Sequence, residues 1–253
     1  MNGWKVMYAA TLGLGCLTAC GSSDDTTVTP SSSSTALDLD DVTTNTGAYA
    51  FGDFKPGIQK LILAGTADSK HIAILWYTDP DGGVALHYHA KTESVYVIDG
   101  TQTDAKGTYP TGTVYFNPPG SGHQVTDSTG FFLLAYAAPP DFADTDLIGE
   151  YTPIRIDTKD LSDYPFDEQQ AGVQTFSPPL DSEGGLSAEF IESTSADPFA
   201  YRGNYLLVLG GSCQIDGKTY GEKRLLVAKG VEPSSYAISA APGADCAALG
   251  VSF

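Results

Sequence analysis

The chain has 253 residues, of which 42% are hydrophobic and 11% aromatic, enough for one large all-β domain or two smaller ones. Thirty-one Asp and Glu against 13 Lys and Arg leave a net charge of −18, which repels phosphate backbones and argues against a nucleic-acid partner. The same charge disfavours contact between the folded part and an anionic membrane surface, and its plainest use is solubility.

The first element in chain order is a targeting segment. Lys5 supplies a short positive region, and Val6 to Leu17 is apolar or small, too short to span a bilayer comfortably. It ends Leu17-Thr18-Ala19-Cys20-Gly21, which resembles the lipobox of bacterial lipoproteins. That resemblance implies a signal peptide over residues 1–19 and lipidation at Cys20, with an ordinary secretory signal as the alternative. Two or more acyl chains anchor a protein stably where one does not. Gly21, in place of Asp, implies an outer-membrane address, so the expectation is an exported, membrane-anchored lipoprotein. Export would place Cys213 and Cys246 in an oxidising compartment, where a disulfide and two separate buried thiols are both compatible with the sequence.

Residues 20–48 are rich in Ser, Thr and Asp and read as a disordered tether, with folded sequence from about Tyr49. Beyond it no long amphipathic helix is predicted. Short apolar runs bounded by turn residues predict strands at 61–64, 72–77, 94–98, 113–116 and 131–137. A second series follows at 186–191, 205–209, 224–227, 235–238 and 247–251. The two series repeat: Gly100 and Tyr109 recur as Gly211 and Tyr220, at an offset of 111 residues. This predicts tandem β-domains over residues 49–145 and 146–253, divided in the Pro- and Asp-rich stretch 139–165.

Chemistry concentrates in the first copy. His87 and His89, one residue apart on a predicted strand, point to the same face. A turn at 90–92 can bring Glu93 beside them, and His123 opens a later strand after a loop shaped by Pro118, Pro119, Gly120 and Gly122. Three imidazoles and a carboxylate suit Fe, Mn, Zn, Ni or Cu in the divalent state, and not Ca²⁺. His71, beside Lys70, reads as solvated.

Both motifs together resemble the cupin superfamily. Its first motif is matched by His87, His89, Glu93 and Gly100, and its second by Gly112, Pro118, Gly120 and His123. The motif's leading glycine is displaced, with Gly82 one residue too close, and Asp127 stands where the second motif ends in Asn. The resemblance implies tandem jelly-roll β-barrels, a bicupin, with one divalent transition metal ion held by His87, His89, Glu93 and His123. Neighbours in sequence, Tyr77, Trp76, Phe116 and Gln124, are candidates to surround it. At the repeat offset the four ligands become Pro198, Ala200, Asn204 and Ser234, so the second barrel is expected to be degenerate. Tyr201 and Arg202 near its expected mouth read as a surface pair. Three functions are compatible: a small-molecule metalloenzyme of dioxygenase type at the cell envelope, a non-catalytic surface protein binding metal or a metal-chelated ligand, and a structural surface protein in which the metal only staples the barrel. Beyond the ligands, no obvious general base appears.

Overall fold

The structure, a computed structural model, describes residues 34–253. The signal segment, Cys20 and the start of the tether lie outside the described residues. The chain runs through β1 (Ser34–Asp38), a single-turn helix α1 (Leu39–Thr44), β2 (Gly52–Lys55), β3 (Ile58–Gly65) and β4 (His71–Tyr77). Then come β5 (Val84–His89), β6 (Glu93–Asp104), β7 (Gly107–Pro110), β8 (Thr113–Asn117), β9 (Ser121–Tyr136) and β10 (Ile154–Asp157). The second half supplies β11 (Asp167–Gln170), β12 (Val173–Phe176), β13 (Ser187–Ser193), β14 (Phe199–Gly203) and β15 (Tyr205–Ile215). It ends with β16 (Lys218–Gly221), β17 (Arg224–Ala228), β18 (Ser234–Ala240) and β19 (Cys246–Ser252).

These strands form two antiparallel sheets, each folded over on itself as a jelly-roll barrel. One runs β10-β8-β6-β9-β4-β3-β2, with β5 on β9 and β7 on β6. The other runs β1-β17-β15-β19-β13-β12-β11, with β16 and β18 on β15 and β14 on β18. All-β tandem jelly rolls, as expected from the sequence, are what the chain adopts.

Three apolar layers follow from strand alternation. On β4, Ile72 and Ile74 face the second barrel, while Leu75 and Tyr77 face the interior of the first. On β19, Leu249 and Val251 face the first barrel, while Cys246 and Ala248 face the interior of the second. The central strands are therefore covered on both faces, which is why they read as continuous apolar runs and not as alternating ones.

The glycines at the repeat offset also have a physical reason. Gly100 and Gly211 adopt φ of +84° and +69°, and a Cβ at either would collide with a carbonyl of the neighbouring strand, Thr129 or Asp245. Asp127 sits at φ +46°, a left-handed conformation that Asn and Asp tolerate better than most residues.

The structure corrects two expected boundaries. Residues 34–48 are not a tether. Strand β1 pairs with β17 from Ser34↔Ala228 to Asp38↔Arg224, and Leu39 and Val42 are wholly buried between the barrels. An edge strand held through its backbone needs few apolar side chains, so composition alone hid it. Likewise β10 lies beyond residue 145 yet pairs with β8 of the first sheet, Ile154 opposite Phe116. Each barrel thus borrows a strand from the other's side of the chain.

Cys213 and Cys246 are joined by a disulfide between β15 and β19, at a sequence separation of 33. Closing a loop of that length stabilises by about 3–4 kcal/mol on the chain-entropy account. A Cys213→Ala/Cys246→Ala protein should be less stable by about that free energy, read from a lower denaturant midpoint at unchanged slope. An unchanged midpoint would mean that the bond does not constrain the unfolded chain.

Candidate metal centre

Four donors converge inside the first barrel. Strands β5 and β9 pair so that His87 lies opposite His123, and the two-residue period places His89 on the same inward face. Leu86, just before them and of opposite parity, points out and is 45% exposed. The chain turns at 90–92 and re-enters as β6, whose first residue is Glu93, facing inward with Val95 and Val97. All four side chains are buried, and their ligating atoms lie within 4.8 Å of one another. Metal–ligand bonds of about 2.0–2.2 Å put neighbouring donors about 3–4 Å apart, so closure on one ion needs only small side-chain shifts. Among the described residues this is the one cluster of His, Cys, Asp or Glu able to hold a metal.

Each donor is oriented by a second contact. His87 Nδ1 donates to the Ala85 carbonyl at 2.8 Å, and His123 Nδ1 donates to Asp104 Oδ2 at 2.8 Å. Asp104 is itself fixed: its Oδ1 accepts from the Lys106 and Gly107 amides at 2.7 and 3.1 Å. Glu93 Oε2 accepts from Asn117 Nδ2 at 2.8 Å, and the Tyr136 hydroxyl also hydrogen-bonds Glu93. Carboxylate–histidine pairs of this kind fix the tautomer of a metal-binding imidazole and raise its basicity.

The electrostatics run the same way. Burial holds His87 down to about 3 and His89 to about 4, so both are neutral and offer lone pairs. Burial also acts on His123, but its bonds to Asp104 and Glu93 outweigh it and raise it to about 9. Burial would raise Glu93, yet the surrounding histidines hold it below the usual carboxylate range. Geometry thus sets His123 between Glu93 and Asp104, and a metal on its Nε2 would have to displace any proton held there.

His89 provides the test of fit. Both its ring nitrogens are buried without a hydrogen-bond partner among the described residues, and its Nε2 lies 3.3 Å from Glu93 Oε2. A core histidine kept for its shape would have its polar atoms satisfied. One left bare beside a carboxylate and two imidazoles has the environment of a ligand.

Beside the donors is a cavity of about 10 Å³, walled by Phe54, Leu75, Tyr77, Gln102, Tyr136 and Phe142, among others. That is room for about one water molecule. Phe142 closes it from the loop after β9, with its ring 5.3 Å from that of His87. The loop is pinned by Asp141, whose backbone exchanges hydrogen bonds with Tyr88 on β5.

Of the four neighbours suggested by sequence, only Tyr77 lines this cavity. Trp76 stacks on Phe131, Phe116 lies in the layer between the barrels, and Gln124 is exposed. Asp104, Asn117 and Tyr136 escaped the sequence reading, because their roles depend on pairing across β6, β8 and β9. His71 is not solvated: it is fully buried and hydrogen-bonded to Lys60.

Among the described residues, the second barrel has no such centre. Strands β14 and β18 set Tyr201 opposite Tyr236, where β5 and β9 set His87 opposite His123. Tyr201 is buried against Gly203 and Gly250, which corrects its reading as a surface residue. Asn204 is a structural bolt, donating to the Val231 carbonyl and accepting from the Phe253 amide, each at 2.9 Å.

Comparison with known proteins agrees with this geometry. Residues 39–139 match the model of the ChrR cupin-like domain family. The matched stretch takes in both sequence motifs and all four donors. Among solved structures, the chain is similar to a cupin 2 conserved barrel domain protein from Leptotrichia buccalis, with a TM-score of 0.54 at 10% identity. That match covers 87% of this chain and 96% of the other. A proposed dioxygenase from Nostoc punctiforme gives a TM-score of 0.53 at 12% identity, covering 86% and 82%. Oxalate decarboxylase from Bacillus subtilis gives 0.47 at 12% identity, covering 85% and 76%. At these identities the likeness is one of fold. No curated protein matches the chain.

The geometry predicts that His89→Ala and His123→Ala proteins copurify with little metal, and that Glu93→Gln binds it more weakly. Asp104→Asn keeps all four ligands but should weaken metal affinity about 10–100-fold. Competition with a chromophoric chelator measures both. Wild-type affinity in Asp104→Asn would show that the aspartate does not orient His123.

Proposed function

We propose that the protein is a mononuclear metalloenzyme of the cell envelope that uses one divalent transition metal ion on a small molecule, with oxygen-dependent chemistry of dioxygenase type. The observation that carries the metal reading is the bare, buried His89 between Glu93, His87 and His123. Three imidazoles and one carboxylate favour Fe, Mn, Zn, Ni or Cu. Four protein donors would leave two positions of a six-coordinate ion for substrate, water or O₂. The bound ion would supply a Lewis acid or an O₂-binding centre. The chain's own part is to hold the donors through Asp104, Asn117 and Tyr136, and to exclude bulk water with Phe54 and Phe142. Tyr77 and Gln102 turn polar atoms into the cavity wall, and neither the Tyr77 hydroxyl nor Gln102 Oε1 has a partner among the described residues. The proposed dioxygenase from Nostoc punctiforme is a cupin-like fold for which the same reaction class has been suggested.

A second reading, non-catalytic binding of a metal or a metal chelate, is favoured by the smallness of the cavity and by Phe142 standing over His87. Oxygen consumption separates the two. Iron-loaded protein should consume oxygen with at least one of a catechol, a β-diketone, an enediol or oxalate. No uptake with any of them at full iron occupancy would favour the binding protein.

Placement at the envelope rests on Leu17–Gly21, and the Cys213–Cys246 disulfide supports an oxidising compartment. Cys20→Ser should abolish palmitate labelling and release the protein from the membrane fraction, while Cys16→Ser should do neither. Labelling that persists in Cys20→Ser would refute the anchor.

A further inference from the structure

One buried cation lies beside the centre and takes no part in holding the four donors. Lys60 sits on β3, opposite Leu75 of β4, with its side chain turned into the first barrel. Its Nζ lies 4.8 Å from the centre of the Phe54 ring and 5.1 Å from that of Tyr136. Phe54, Leu75 and Tyr136 are all walls of the cavity next to the four donors. Lys60 therefore stands at the cavity's edge, behind two of its rings.

Its hydrogen-bond partner is neutral. Lys60 Nζ donates to His71 Nε2 at 2.7 Å, while His71 Nδ1 donates to the Ser69 carbonyl at 2.7 Å. That leaves the imidazole one lone pair, aimed at the ammonium. Burial holds His71 down to about 4, so it stays uncharged and can serve only as an acceptor. No carboxylate forms an ion pair with Lys60 among the described residues. Glu93 favours the ammonium from a distance without pairing with it, so its burial remains costly, and a Met or Leu would fill the same space without that cost.

The charges of the barrel show what would balance it. A dication with three neutral imidazoles is cancelled by Glu93 and Asp104, which leaves the Lys60 ammonium over. A second ammonium, Lys55, lies 4.0 Å from the Phe142 ring and 5.6 Å from that of Phe54, at the same opening. A chain of net charge −18 thus sets two of its 13 cations around one cavity. Positive charge at a dry opening draws anions in.

Granting the metal reading, we infer that Lys60, steadied by His71, is the anion-recognising residue of this site, and that its ligand is a short carboxylate bearing one negative charge. The negative charge is shared between the ion and the ammonium; the cavity holds about one water molecule, so even a one-carbon carboxylate enters only as the Phe54 and Phe142 rings shift. Burial lowers Lys60 to about 8, which leaves it mostly protonated at neutral pH and able to play this part.

Cobalt-loaded protein provides the test, with formate as the anionic probe and formamide as a neutral one of similar size. Binding of either is followed by the visible spectrum of the cobalt. Lys60→Gln keeps a donor for His71 but removes the charge, and it should weaken formate binding about tenfold or more at full cobalt content. Formamide binding should not change, and Lys60→Arg should restore formate affinity. Should Lys60→Gln fold poorly, Lys60→Met removes the charge at similar length and carries the same expectation. Formate affinity equal to wild type in either charge-free variant overturns the inference and leaves the metal centre standing. Wild-type protein that takes up no cobalt overturns both.

Discussion

A buried carboxylate must be neutralised, and the first barrel is organised around how Glu93 meets that demand. It begins β6 at 2% exposure, and its neighbours are three imidazoles, an amide and a phenol. Left alone in an apolar barrel, it would take up a proton. Instead the histidines hold it ionised, and His123 carries the compensating charge with Asp104 on its far side. The centre is pre-formed by hydrogen bonds and strand register, and binding need not assemble it.

The two barrels divide the work. Only the first presents donors, yet its sheet has an apolar outer face, with Ile72, Ile74 and Leu133 among its residues, that has to be covered. The second barrel covers it with Phe190, Leu207, Leu249 and Val251. Its own interior is closed by tyrosines at the strand pair where the first barrel has histidines, so it keeps the architecture without the chemistry. The exchange of β1 and β10 ties the halves further, because neither sheet is complete from its own stretch of chain.

Much of this was legible in the sequence, for local reasons. The strand runs carried their own signal because burial on both faces leaves no room for polar alternation. His87, His89 and Glu93 were legible because a strand's two-residue period and one tight turn determine their faces, and His123 followed from its glycine–proline loop. What stayed hidden depends on partners far along the chain. Asp104 becomes meaningful only when β6 meets β9, and Lys60 and His71 only when β3 meets β4. His71 reads as solvated until the register turns it inward together with Lys60. The segment from Ser34 to Ala48 was missed because backbone pairing of Ser34–Asp38 and only two buried apolar side chains, Leu39 and Val42, secure it.

X-ray absorption at the metal edge of protein purified without added metal tests the central claim most directly. The account predicts one ion per chain with a first shell of three imidazoles and one carboxylate oxygen, at about 2.0–2.2 Å, and no sulfur. A shell lacking histidine scattering, or protein that carries no metal and takes none up, would contradict it.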